Sequence, residues 1–137
     1  MTYEEYRKLL FEYASGEKSF NLTDFSFREK SIPISKEDRD DGLSEHTQYE
    51  WYDKSTKVAE VYIMVWPDNW ISCHDLEISK KYRGYHLGNQ LVEFIVKKGV
   101  NHLSVSPNNK IAIRLYEKYG FKLTGEKEGN LLRMERK

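Results

Sequence analysis

The chain has 137 residues, 39% of them hydrophobic and 14% aromatic, which suits one ordered domain with a real core and excludes an unstructured polymer. No apolar run reaches the roughly 18 residues of a membrane span, and the formal net charge is zero, although residues 1–68 carry −6 and residues 69–137 carry +6. The single cysteine, Cys73, excludes an internal disulfide, and Met-Thr-Tyr-Glu-Glu at the start lacks the pattern of a secretory signal, so the cytoplasm is the expected compartment.

Thr2 and Glu5 form a capping box, and Tyr3, Tyr6, Leu9, Leu10 and Tyr13 follow at helical spacing, which predicts a first helix stopped by Gly16. Phe20, Leu22, Phe25 and Phe27 predict a strand within 20–34 that ends before Pro33. The charged stretch 35–46 reads as a loop or a short helix. Thr47–Asp53 is the next predicted strand, with its turn at Lys54-Ser55-Thr56. Val58–Trp66 follows and is apolar on both faces, so it belongs in the middle of a sheet. Pro67-Asp68-Asn69 is a tight turn signal, and Trp70–Ser79 is a third strand. Strict alternation along that strand puts Cys73, Asp75, Glu77 and Ser79 on one face, with His74, Leu76 and Ile78 on the other.

The strand runs into a cationic turn bearing Arg83, Gly84 and Gly88, and the turn opens an amphipathic helix. Leu87, Leu91, Phe94 and Ile95 share one face of that helix, which ends at Gly99. The unsatisfied amides of a first helical turn, backed by the helix dipole, attract an anion, and a pyrophosphate fits such a turn. His102–Ser106 is a short returning strand. A second helix follows Asn108-Asn109, with Ile111, Ala112, Leu115, Tyr116 and Tyr119 along one side and a stop at Gly120. Phe121–Thr124 and Leu131–Glu135 are the arms of a final hairpin around Gly125 and Gly129. This order predicts one α/β (α+β) domain, a mixed and mostly antiparallel twisted sheet flanked by helices.

Two motifs in this stretch resemble those of the GCN5-related N-acetyltransferase (GNAT) family. The acyl-CoA loop of that family reads Arg/Gln-x-x-Gly-x-Gly/Ala, and here it is Arg83-Gly84-Tyr85-His86-Leu87-Gly88, with His86 where glycine is usual. A second motif, Asn-x-x-Ala-x-x-Leu-Tyr-x-x-x-Gly-Phe, is met at every defined position by Asn109, Ala112, Leu115, Tyr116, Gly120 and Phe121. The resemblance covers residues 47–137 as an acyl-CoA-binding core, and leaves 1–45 as a divergent region on the acceptor side.

The resemblance implies acetyl-CoA as co-substrate and no metal. The amides of Arg83, Gly84, Tyr85, His86, Leu87 and Gly88 would hold the pyrophosphate, while the backbone from Leu76 to Ile78 and the side chain of Asn109 would bind the pantetheine arm. Tyr116 would be the general acid for the departing thiolate, and Glu77 the carboxylate that deprotonates the amine, with Asp75 and His74 in reserve. The bland alternatives are a Glu77 paired with Lys80 or Lys81 and a Tyr116 that is simply core. His46 reads as a surface residue and His102 as a structural one.

The implied reaction is direct attack of an amine, from a small molecule or a peptide, on acetyl-CoA in a ternary complex. The alternative is a non-catalytic GNAT-like module that binds CoA or a protein. Nucleic-acid binding by the basic half ranks last, no membrane partner is expected, and an exposed C-terminal strand is compatible with a homodimer.

Overall fold

The computed structural model describes Thr2 and residues 20–137, so the predicted helix of Tyr3 to Gly16 lies outside the described residues. Among the described residues seven strands form one mixed sheet. In chain order they are β1 (Ser26–Ser31), β2 (Glu45–Asp53), β3 (Thr56–Trp66), β4 (Trp70–Ile78), β5 (His102–Val105), β6 (Phe121–Glu128) and β7 (Leu131–Arg136). Their spatial order is β1-β2-β3-β4-β5-β7-β6. Among the described residues three α-helices accompany them: α1 (Lys36–Asp40), α2 (Leu87–Lys97) and α3 (Lys110–Lys118). The predicted single domain with a mixed, mostly antiparallel sheet is thus the observed one.

β3 does lie inside the sheet, paired with β2 on one side and β4 on the other. The first predicted strand is shorter than its apolar residues suggested. Leu22–Asp24 is a 3-10 turn, and the pleat begins only at Ser26. Phe20 and Phe25 leave the strand pattern because their rings pack on Tyr82, with centroids 5.9 and 5.7 Å away. Gln90 of α2 fixes this segment by accepting from the Leu22 amide at 2.7 Å and donating to the Phe20 carbonyl at 2.6 Å. The charged stretch after Pro33 contains the short helix α1, with Ser35 Oγ accepting from the Asp38 amide at 3.1 Å as its cap. The first arm of the last hairpin runs past the predicted end at Thr124 as far as Glu128. Gly125, at φ 87°, sits in a break of register there and not at the turn.

The core lies between the sheet and the two longer helices. Leu87, Leu91, Val92 and Ile95 of α2 are buried against Val58, Val61 and Ile63 of β3, with Phe121 and Met134 closing the far end. Each such side chain contributes roughly 1.5–3 kcal/mol by leaving water. On α2, a Cβ added at Gly88 would come 3.2 Å from Leu115 Cδ2, so that glycine lets α2 approach α3 closely.

Two antiparallel halves make up the sheet, β1 to β4 and β5-β7-β6. One parallel pair, Ser72 with His102, joins them. Asn101 reinforces that junction. Its Oδ1 accepts from the Ile71 amide at 3.0 Å, its Nδ2 donates to the Asn69 carbonyl at 2.7 Å, and its own amide donates to the Ile71 carbonyl at 2.9 Å. Asn101→Ala strips the amide of Ile71 and the carbonyl of Asn69 of these partners. We expect a loss of about 1–3 kcal/mol in urea unfolding. An unchanged midpoint would show that the junction does not depend on this side chain.

Candidate active site

Beyond Ser72 and His102 the strands β4 and β5 part, and a cleft of about 1180 Å³ opens between the two halves of the sheet. Cys73, His74, Asp75 and Leu76 line it from β4. Val105, Ser106 and Asn109 line it from the other side, and Tyr116 of α3 joins them. Farther out, Trp66, Trp70, His102 and Arg133 form the wall. The rings of Trp70 and His102 stack at 3.4 Å, and the Arg133 guanidinium lies 5.0 Å from the Trp70 ring.

The lining of β4 is set by a bulge. Glu60 pairs with Glu77 and Tyr62 with His74, so β4 carries one residue more than β3 over this span. Asp75 absorbs the extra residue at φ 50°, in the left-handed region that aspartate reaches more easily than most residues. This corrects the alternation expected from the sequence. Glu77 shares the face of His74, Tyr62 and Glu60, and Ile78 returns to the face of Cys73 and Ala59.

Glu77 is therefore not on the Cys73 face, and it is not among the residues that line the cleft. Its carboxylate is 64% exposed, with Oε1 3.9 Å from Arg83 Nη2. Among the residues that β4 does present to the cleft are His74 and Asp75. Asp75 Oδ2 is 2.9 Å from His74 Nδ1, and His74 Nε2 is 2.9 Å from His46 Nε2. Tyr62 stacks on His74 with centroids 4.7 Å apart. His46 is thus a half-buried partner of His74 and not the surface residue expected from the sequence. Their separation of 28 residues hides the pairing, which arises only from the β2-β3-β4 register.

The cationic turn sits at the start of α2. After a 3-10 turn at Lys80–Tyr82, Arg83 Nε donates to the Ile78 carbonyl at 2.8 Å, and Gly84 takes φ 83°. His86 is the N-cap of α2 at φ 59°, and its side chain makes no capping bond to the first helical turn. Tyr85 leans on Phe20 with centroids 4.9 Å apart, and Leu87 is core. Arg83 to Gly88 do not line the cleft, whereas Leu76, Asn109 and Tyr116 do. Asn109 Oδ1 caps α3 by accepting from the Ala112 amide at 3.2 Å.

The sequence profile of the acetyltransferase (GNAT) family matches residues 6–121. The chain belongs to this family. The match starts at residue 6, ahead of the stretch 47–137 that carries the two motifs. Among solved structures, PaiA N-acetyltransferase from Thermoplasma acidophilum in complex with coenzyme A aligns with a TM-score of 0.53 at 23% identity, over 66% of this chain and 59% of that one. An acyl-CoA N-acyltransferase from Pseudomonas aeruginosa gives 0.61 at 17% identity, over 82% of this chain and 99% of the other. A GNAT family acetyltransferase from Elizabethkingia anophelis with acetyl-CoA bound gives 0.59 at 15%, over 81% and 97%. These likenesses establish the fold. No curated protein sequence matches this chain significantly.

Within this GNAT fold, Tyr116 is 7% exposed, and its phenol is pushed well above the ordinary range, first by burial and then by Cys73 beside it. It holds its proton at any neutral pH. Burial also pushes the Cys73 thiol up to about 12, so it is a small core residue and not a nucleophile. A raised thiol pKa means less thiolate. At pH 8, Ellman's reagent should therefore react with the native protein on the order of 1000-fold more slowly than with the unfolded chain. Equal rates would place Cys73 in an open, reactive setting.

Proposed function

We propose that this protein is an acetyl-CoA-dependent N-acetyltransferase that passes an acetyl group to an amine by direct attack in a ternary complex. The observation that carries the reading is the parting of β4 from β5, with Tyr116 buried at the cleft beside Cys73. Family membership and neighbours crystallised with coenzyme A or acetyl-CoA support it.

In this reading the first-turn amides of α2 and the turn of Arg83, Gly84, Tyr85, His86, Leu87 and Gly88 take the pyrophosphate. The absence of a side-chain cap from His86 suits that role. The backbone of Leu76 and Ile78 pairs with the pantetheine arm. The Ile78 carbonyl already accepts from Arg83 and keeps a second lone pair for it. Asn109 uses its Oδ1 on the cap of α3, which leaves its amide nitrogen to donate to the pantetheine. The attacking nitrogen forms a bond to the acetyl carbon as the carbon–sulfur bond breaks. Tyr116, at the cleft and protonated at neutral pH, gives its proton to the sulfur. Glu77, beside Arg83, belongs to the turn and not to proton transfer in this scheme.

The test is thiol release from acetyl-CoA across a panel of amine acceptors. Tyr116→Phe removes the donor at little cost in shape, and kcat should fall roughly 100-fold while acetyl-CoA affinity is retained. Glu77→Gln should leave turnover nearly unchanged. Full activity in the Tyr116→Phe protein would contradict the acid role.

A further inference from the structure

We propose that His46 and His74 form a binding site for one divalent transition-metal ion of the zinc and copper class, with Asp75 orienting the His74 ring from behind. The site takes no part in the acetyl transfer proposed above and does not depend on that reading. Three strands build it. His46 stands on β2 and His74 on β4, and the Tyr62 ring of β3 packs against both imidazoles, with centroids 5.9 and 4.7 Å away.

The two rings already face each other edge to edge. Their Nε2 atoms are 2.9 Å apart and their centroids 5.1 Å apart. In a tetrahedral site with metal–nitrogen bonds of about 2.0–2.1 Å, two imidazole centroids stand about 5.2 Å apart. The rings therefore need only tilt toward a common point, and the strands that carry them need not part. A carboxylate only accepts, so His74 Nδ1 carries the hydrogen that faces Asp75 Oδ2 at 2.9 Å, and Nε2 is left as the ligand atom. A carboxylate behind a ligating imidazole fixes its ring and raises its basicity. In the pair as it stands, His46 Nε2 donates to His74 Nε2. When a metal binds, that hydrogen moves to His46 Nδ1 through water, and the ring remains a neutral ligand.

The surroundings suit a cation. Burial first, and then His74, hold His46 below the ordinary imidazole range against the pull of Asp38, which favours the neutral ring that a metal needs. Asp75 and Asp38 bring two carboxylates to the pair, and these offset the charge of a dication. Lys57, farther along the same face, is engaged by Glu50 at 2.9 Å and Glu60 at 3.2 Å. Among the described residues no group of three or more histidine, cysteine or carboxylate side chains is placed to hold a metal, so water fills the remaining positions. The His74 side chain is 39% exposed and lines the cleft, which gives the ion its route in and the waters their place. Two imidazoles select Cu2+ and Zn2+ over Mg2+ and Ca2+, which take oxygen ligands. The bound ion ties β2 to β4 across β3 and stiffens that wall of the cleft.

Long-range proton–nitrogen NMR on the labelled full chain, titrated with zinc sulfate in the absence of acetyl-CoA, tests the site. One equivalent of Zn2+ should shift Nε2 of His46 and of His74 together and move the His46 hydrogen to Nδ1, while the rings of His86 and His102 keep their positions. Mg2+ should shift neither ring of the pair. Zn2+ should also raise the thermal midpoint of unfolding, since the paired rings exist only in the folded chain. His46→Gln keeps a donor for His74 but loses an imidazole. Calorimetry should find its Zn2+ affinity lower by roughly tenfold or more, with the rise in midpoint abolished. Asp75→Asn tolerates the left-handed backbone and still accepts from His74, yet lacks the charge, so it should bind one ion per chain roughly tenfold more weakly. Zn2+ shifts confined to other histidines, equal shifts by Mg2+, or an unaltered Zn2+ affinity in His46→Gln would overturn the inference. The parent spectra decide the question even where a variant fails to fold.

Discussion

One parallel pairing, Ser72 with His102, governs the architecture. A sheet held together on both sides of β4 by full ladders would leave no space at its centre. Here β4 has a long ladder only to β3, and β5 has one only to β7. The two half-sheets can therefore diverge from a single point without leaving a hydrophobic face bare. Asn101 makes the junction firm, because its side chain completes the backbone bonding of Asn69 and Ile71 just before the strands separate. The backbone groups that the parting leaves unpaired face a cleft, where a ligand or water satisfies them. Under the proposed function the opening in the sheet is also the binding site.

The bulge in β4 works on a finer scale. One extra residue between the Glu60–Glu77 and Tyr62–His74 pairs reverses every side chain beyond it. It moves Ile78 into the core against α2 and turns Glu77 out toward Arg83. It also leaves Asp75 exposed at the mouth with its carboxylate on His74. The polar part of the cleft and the anchoring of the cationic turn therefore share one local irregularity.

Much of this was legible from residue order. Apolar spacing and terminal glycines gave both long helices, because a buried helical stripe and a left-handed stop leave strong periodic marks. The central place of β3 followed from its two apolar faces. What stayed hidden depended on register. Nothing in His-Asp-Leu-Glu announces that Asp75 turns left-handed, so the faces beyond it were assigned the wrong way round. His46 and His74 meet only because two intervening hairpins bring their strands into line. Nothing in the sequence marks Asn101, since its partners at 69 and 71 become neighbours only across the sheet junction. The aromatic residues at 20 and 25 suggested a pleat, whereas their rings are claimed by Tyr82 and Tyr85.

The central claim is that the turn opening α2 and the cleft beside it together hold acetyl-CoA. His86 is the residue that most strains that claim, because it occupies a left-handed N-cap where the family usually has glycine. Calorimetric titration of acetyl-CoA into the purified parent protein, in parallel with His86→Gly, tests it directly. The account predicts one site of micromolar affinity in the parent, with the variant binding at least as well. No binding heat in either protein would contradict the assignment of the cofactor, and binding restored only in His86→Gly would mark the parent as a family member that has lost it.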